Sequence, residues 1–345
     1  QVMIIKAGVL ANRRDPGAID IYKSIVEKNS NFAPAYNMLG YAAARVGNYQ
    51  EAEDYFRHYS YLVPDIANSH DSLAELLTWT GRYQEAEEEY LKALDIQPDF
   101  VHSLIGIATL QMRQGRVKAA KKLLDKLRIE DTSNRYQAEI NGLEVQCCLV
   151  NSIKDSQQQA IRQMIDSFSS GTDQFAWEAI YSALEGDSLT SDIWMNKLTD
   201  KVKESGYNKF SFVKSRIANL QHQRYAIISE YNNDFSHAVQ HWQLSVEASA
   251  ESAPHEKWFQ QWKLGEAYLN NNQPGEAAVQ ARQILQTNPS LHQAWLLLAD
   301  ASIEIGDFSA ARSALKSALP LIEVIDTDLP ARRRAIELTK KAALQ

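Results

Sequence analysis

Cysteine is scarce in the 345-residue chain, which has only Cys147 and Cys148. Neighbouring cysteines rarely pair with each other, because the disulfide would strain the peptide between them. They also fall outside the two-to-four-residue separations of zinc sites. The two therefore read as buried small hydrophobes, and neither a disulfide framework nor a zinc-held fold is expected. Long apolar runs are missing as well. The longest early one, Val2 to Ile5, is far shorter than a signal-peptide core or a membrane span. A soluble protein is expected, with cytoplasm and periplasm both open. An excess of positive charge is absent too: the net charge is -7, whereas a nucleic-acid binder needs a basic stripe to displace counterions from phosphates.

Catalytic signatures are equally sparse. The sequence contains no Gly-rich phosphate loop, no Gly-x-Ser-x-Gly elbow and no His-Glu-x-x-His pair. His237 and His241 stand one helical turn apart, but no third ligand is evident nearby in the sequence. No catalytic residue, cofactor or metal is expected, and the chain does not read as an enzyme.

What is present is a repeat. The balance of 45% hydrophobic and 23% charged residues is that of a folded protein. The segments GNYQEA (47–52), GRYQEA (81–86) and GRVKAA (115–120) follow one another at a constant step, and the same step back from Ala52 reaches Ala18. Four residues after each alanine stands a bulky side chain, in turn Tyr22, Phe56, Tyr90 and Leu124. Pro64 and Pro98 close two of the units, and Leu39-Gly40, Leu73-Ala74 and Ile107-Ala108 keep the same period upstream. Near the C-terminus Leu264, Gly265, Tyr268, Ala277 and Pro289 are followed by Trp295, Leu298, Ala299, Gly306, Ala311 and Ala318. Small residues at fixed positions let two antiparallel helices approach closely, glycine suits the turn between them, and proline ends the second helix. A helix-turn-helix unit of this kind leaves an apolar face that only another unit covers.

These landmarks resemble the tetratricopeptide repeat, whose signature runs Trp-x2-Leu-Gly-x2-Tyr, Ala-x3-Phe and Pro with the same period. The resemblance implies an all-α fold of helix-turn-helix repeats stacked as a right-handed α-solenoid, and it suggests a bacterial source. Residues 1–128 read as an N-terminal repeat block with a capping helix, 129–218 as a degenerate region of helical pairs, 219–320 as a C-terminal repeat block and 321–345 as a capping helix. A short insertion is expected around Ser249 to His255. The basic run Arg332, Arg333, Arg334, Lys340 and Lys341 reads as the solvated face of the last helix.

The resemblance also implies that the first helices of successive units line a concave groove. Projection of their outward positions gives Asn37, Tyr41, Arg45, Asn68, Asp71, Glu75, Trp79 and Arg113 in the N-terminal block. The C-terminal block offers Phe259, Trp262, Glu266 and Asn270, then Gln293, Leu296, Asp300 and Glu304, an acidic surface with aromatics. Trp79, Tyr41 and Trp262 are either anchors for a partner or packing between units. Arg45 and Arg113 are either a carboxylate clamp or solvated charges. Some members of the family clamp the terminal carboxylate of chaperone tails with Lys and Asn. Here Asp71, Ser72, His102, Ile105 and Gly106 occupy that neighbourhood, which argues against that ligand class.

The expected function is a non-catalytic protein-protein interaction scaffold that binds a protein or peptide segment in its groove. The alternative is a ligand-sensing or regulatory module of a longer protein, motivated by a chain that starts at Gln1. Exposed repeat ends can stack, so a homo-oligomer is compatible with both readings.

Overall fold

The computed structural model describes residues 3, 6–8, 10, 17–131, 135–150, 161–163, 165–166, 171–252 and 257–343, with backbone alone at 138, 148, 150, 251 and 252. Among them are α-helices, one 3-10 turn at Tyr207–Lys209, and no strand. The expected first helix over 1–12 and the helix at 155–168 fall largely outside the described residues.

Two compact units divide the chain, 1–110 and 111–345. The first holds α1 (Gly17–Lys28), α2 (Ala33–Arg45), α3 (Tyr49–Leu62), α4 (Ala67–Trp79), α5 (Tyr83–Ile96) and most of α6 (Val101–Arg113). The second holds α7 (Val117–Glu130), α8 (Gln137–Val150), α9 (Thr172–Leu184), α10 (Ser188–Glu204), α11 (Ser211–Tyr231) and α12 (Phe235–Ser252). It ends with α13 (Lys257–Asn270), α14 (Pro274–Thr287), α15 (His292–Ile305), α16 (Phe308–Glu323) and α17 (Pro330–Ala343). The stretch read as an insertion begins as helix, since α12 continues to Ser252.

The periodic alanines explain how each pair closes. Ala52, Ala86, Ala120, Ala277 and Ala311 are wholly enclosed, and any larger side chain there would have to displace a packed helix. The bulky residues four positions on, Phe56, Tyr90 and Leu124, are buried beside them. Close approach also depends on glycine: a Cβ on Gly40 would lie 2.6 Å from the Phe56 ring. The inter-helix turns of the first three repeats place Gly47, Gly81 and Gly115 at φ between 73° and 80°, a left-handed conformation that costs other residues energy. In the C-terminal block the same position, one period before Gly306, is taken by Asn272 at φ 57°. Asparagine is among the few non-glycine residues that enter this region readily.

Unit 2 returns on itself. The loop after α16 docks against the turn that precedes α7: the Asp326 amide donates to the Gly115 carbonyl at 3.0 Å, and the Lys118 amide donates to Asp326 Oδ2 at 2.8 Å. Lys118 Nζ also lies 3.0 Å from Asp328. Beneath these polar contacts Met112, Val117, Ala120 and Cys147 share one apolar cluster with Leu296, Ala299, Ala311 and Leu338. The cysteine is thus a buried small hydrophobe, as its sequence context suggests.

Candidate groove and its cavities

In unit 1 the projected groove residues tie neighbouring first helices together. Tyr41 on α2 donates its hydroxyl to Glu75 on α4 at 2.8 Å, a partner one full period away, with Ser72 Oγ at 3.2 Å. Burial first, then the Glu75 carboxylate, pushes the Tyr41 hydroxyl well above its ordinary pKa. Its ring sits edge-on to Phe56 and 6.4 Å from Trp79. Asp71 accepts from Ser103 Oγ on α6 at 2.7 Å, and the Asn68 amide donates to the Tyr59 hydroxyl at 3.3 Å. Asn37 is half-buried, and its side-chain oxygen has no hydrogen-bond partner. Arg45 is exposed. Six of these residues, Tyr41, Asn68, Asp71, Ser72, Glu75 and Ser103, form a polar ladder that fixes the register between repeats.

Arg113 belongs to unit 2, where it is buried with its guanidinium 5.6 Å from the centre of the Trp258 ring. Most of its surface is spent inside the protein, on an aromatic face that favours a cation.

Two adjoining cavities open in unit 2. The larger, about 500 Å³, lies among α8, α9, α11, α12 and α13, and its walls include Trp177, Ile180, Trp242, Phe259 and Trp262. The smaller, about 270 Å³, is bounded by α13, α15 and α17, with Leu269, Gln293, Leu296 and Leu297 on one side and Pro330 and Ala331 on the other. Trp262 lines both and is 7% exposed. Of the C-terminal residues projected from sequence, Phe259, Trp262, Glu266, Gln293, Leu296 and Asp300 line these cavities. The larger cavity falls in the size range of ligand sites, which are typically about 300–1,000 Å³ and mostly apolar with a few placed polar groups.

The polar groups are organised around Lys263. Its ammonium lies 2.8 Å from Glu266 and 3.9 Å from Glu230. Burial opposes its charge, but the two carboxylates outweigh that and hold its pKa above the ordinary lysine value. Glu230 also accepts from the Trp242 indole at 2.7 Å. In the smaller cavity Arg334 pairs with Asp300, again one period away, and with Glu337 at 3.3 Å. Gln293 beside them is buried, and neither end of its amide has a partner.

Sequence projection omitted the walls contributed by Trp177, Asn219, Gln223 and Arg334. Trp177 comes from the degenerate middle, where no repeat landmark marks the inward face, and Asn219 and Gln223 come from the first residues of the C-terminal block, outside the helices that were projected. Arg334 could have been found by stepping one period on from Asp300. His237, considered with His241, instead lies 2.6 Å from Asp234. His241 faces His222, with Nδ1 atoms 3.3 Å apart. Among the described residues no group of three or more potential ligands is placed to hold a metal ion, and no helix is long and apolar enough to cross a membrane.

Comparison with known proteins gives the same repeat. Profiles of the tetratricopeptide repeat match residues 77–139, and 38–99 together with 263–323. No curated protein sequence matches the chain significantly. Similar solved structures include the P58(IPK) TPR domain, at 15% identity and a TM-score of 0.34 over 99% of this chain and 98% of that one. Yeast Tom70 is 12% identical with a TM-score of 0.44, covering 100% and 88%. The APC/C hetero-tetramer Cut9-Hcn1 is 14% identical with a TM-score of 0.47, covering 94% and 58%. The periodic landmarks and the paired helices they produce agree with the profile matches, which identify tetratricopeptide repeats over residues 38–139 and 263–323.

Proposed function

We propose that the protein is a non-catalytic docking scaffold and that the groove of unit 2 receives an extended segment of a partner protein. The observation that carries this reading is the pair of adjoining cavities that share the Trp262 wall. Together they form a stepped trough with aromatic and aliphatic walls, among which stand the polar groups of Glu230, Lys263, Glu266, Gln293, Asp300 and Arg334. Side chains of an extended segment fit such steps at successive positions, and buried aromatic walls supply most of the energy in interfaces of this kind.

Selection of a random peptide library displayed on phage against the full chain tests this. Enriched peptides should bind wild-type protein and lose about tenfold or more in affinity when Leu296→Lys puts a charge into the smaller cavity. Enrichment that is indifferent to Leu296→Lys and to Trp262→Phe would refute the groove as the docking surface.

A further inference from the structure

We infer that the smaller cavity of unit 2 is a socket for a side-chain carboxamide, so that the partner segment carries a glutamine or asparagine at the position that enters it. This rests on the docking role proposed above and specifies its ligand. Among the described residues several side-chain nitrogens and oxygens are buried without a hydrogen-bond partner, and of these only the atoms of Gln293 belong to a residue lining either cavity. Gln293 is 5% exposed, and both its Nε2 and its Oε1 lack a partner. A buried amide left unpaired costs free energy at each end, and an occupant that brings the matching donor and acceptor recovers it.

The rest of the lining narrows the occupant. Glu266 is bound to Lys263 at 2.8 Å, and Asp300 and Arg334 are bound to each other, with Glu337 3.3 Å from Arg334. Each charged group in the wall thus already has an opposite partner, and the amide of Gln293 is the polar group left to be matched. It needs an acceptor and a donor at once. A carboxylate supplies acceptors only, an ammonium or guanidinium donors only, and a hydroxyl offers both from a single atom that cannot face the two ends together. A primary carboxamide carries an acceptor and a donor side by side in one plane, so two such groups can pair reciprocally, while its methylenes lie against Leu296 and Leu297. The main chain of an extended segment also carries both groups. Gln293 is covered too deeply for a main chain lying across the groove, and a side chain reaching inward is what can meet it.

The test uses the full chain and three libraries of acetylated, amidated pentapeptides. The central residue is glutamine, glutamate or the unbranched, apolar methionine, and the other four positions are randomised over uncharged residues other than asparagine and glutamine. Binding is followed through the indole N–H resonance of Trp262, assigned with Trp262→Phe. The glutamine library should bind wild-type protein about tenfold tighter than the methionine library, with glutamate weakest. Gln293→Met keeps the length of the side chain and removes both polar ends. It should bring the glutamine-to-methionine ratio to 1 or below, and its urea midpoint should be no lower than that of wild type, because no hydrogen bond within the protein is lost. A lower midpoint would show that the amide is already satisfied in the free protein and overturns the socket. Equal binding of the glutamine and methionine libraries to wild type, or a ratio that survives Gln293→Met, overturns it while the docking groove stands. So does an equal loss for all three libraries in Gln293→Met, which would mean that Gln293 reads the main chain. A Trp262 resonance that none of the libraries moves at millimolar concentration overturns both.

Discussion

Replacement of Gly115 by alanine isolates the contact that closes unit 2. Gly115 has φ 73°, and a Cβ built there would lie 2.9 Å and 3.0 Å from the two γ carbons of Ile325. The left-handed backbone alone costs an alanine about 1–2 kcal/mol. Overpacking against a branched side chain adds about 1–3 kcal/mol, so Gly115→Ala should destabilise by about 2–5 kcal/mol in all. Gly47 provides the control, with φ 80° and nothing within 4 Å of an added Cβ; Gly47→Ala should cost only about 1–2 kcal/mol. Ile325→Ala makes room for the new methyl. The double variant should then be less destabilised than the sum of the singles by about 1–3 kcal/mol, the overpacking energy. Urea titration followed by tryptophan fluorescence reads this, since six of the seven tryptophans, all but Trp79, lie in unit 2. Strict additivity of Gly115→Ala and Ile325→Ala would refute the docking of the two loops.

Two further perturbations probe the packing. Burial lowers the His292 pKa to about 4. As pH falls from about 6.5 to about 4 the unfolded chain takes up a proton that native His292 refuses, and about 3 kcal/mol of stability is lost. The half-buried His222 and His241, lowered by the same cause, act in the same direction, with Arg224, Tyr225, His237 and Glu247 as their neighbours. Denaturation midpoints between pH 7 and pH 4 should fall steadily, and less so in His292→Gln; a flat profile would contradict this. Gly40→Ala should destabilise unit 1 by about 1–3 kcal/mol through its clash with Phe56. This happens although alanine is the better helix former, and a stabilised variant in thermal melts would show that the ring yields freely.

The repeat was legible because it is written locally. Each alanine, bulky residue and turn glycine meets its counterpart within one pair or the next, so spacing alone announces the contact. Tyr41 with Glu75 and Asp300 with Arg334 extend this to the polar groups, each pair separated by one period. Asn272 escaped the glycine pattern because its backbone conformation, and not its size, is what the turn requires. The return of Asp326 to Gly115 was not legible, since nothing periodic links positions so distant in the chain and the approach depends on the accumulated rotation of the intervening helices. The same return buries Arg113 on Trp258. The sequence placed Trp262 among the outward positions of its helix and left open whether it anchors a partner or packs between units. That its ring is nearly covered follows from neighbours on α11 and α15, whose approach the helix itself does not record.

The most direct measurement of the docking account is hydrogen exchange of the full chain with and without a display-selected peptide. Docking in the groove should slow exchange along α9, α11, α13 and α15, whose side chains line the two cavities, with little change in the second helices α14 and α16. Protection confined to α14 and α16, or none at saturating peptide, would contradict it.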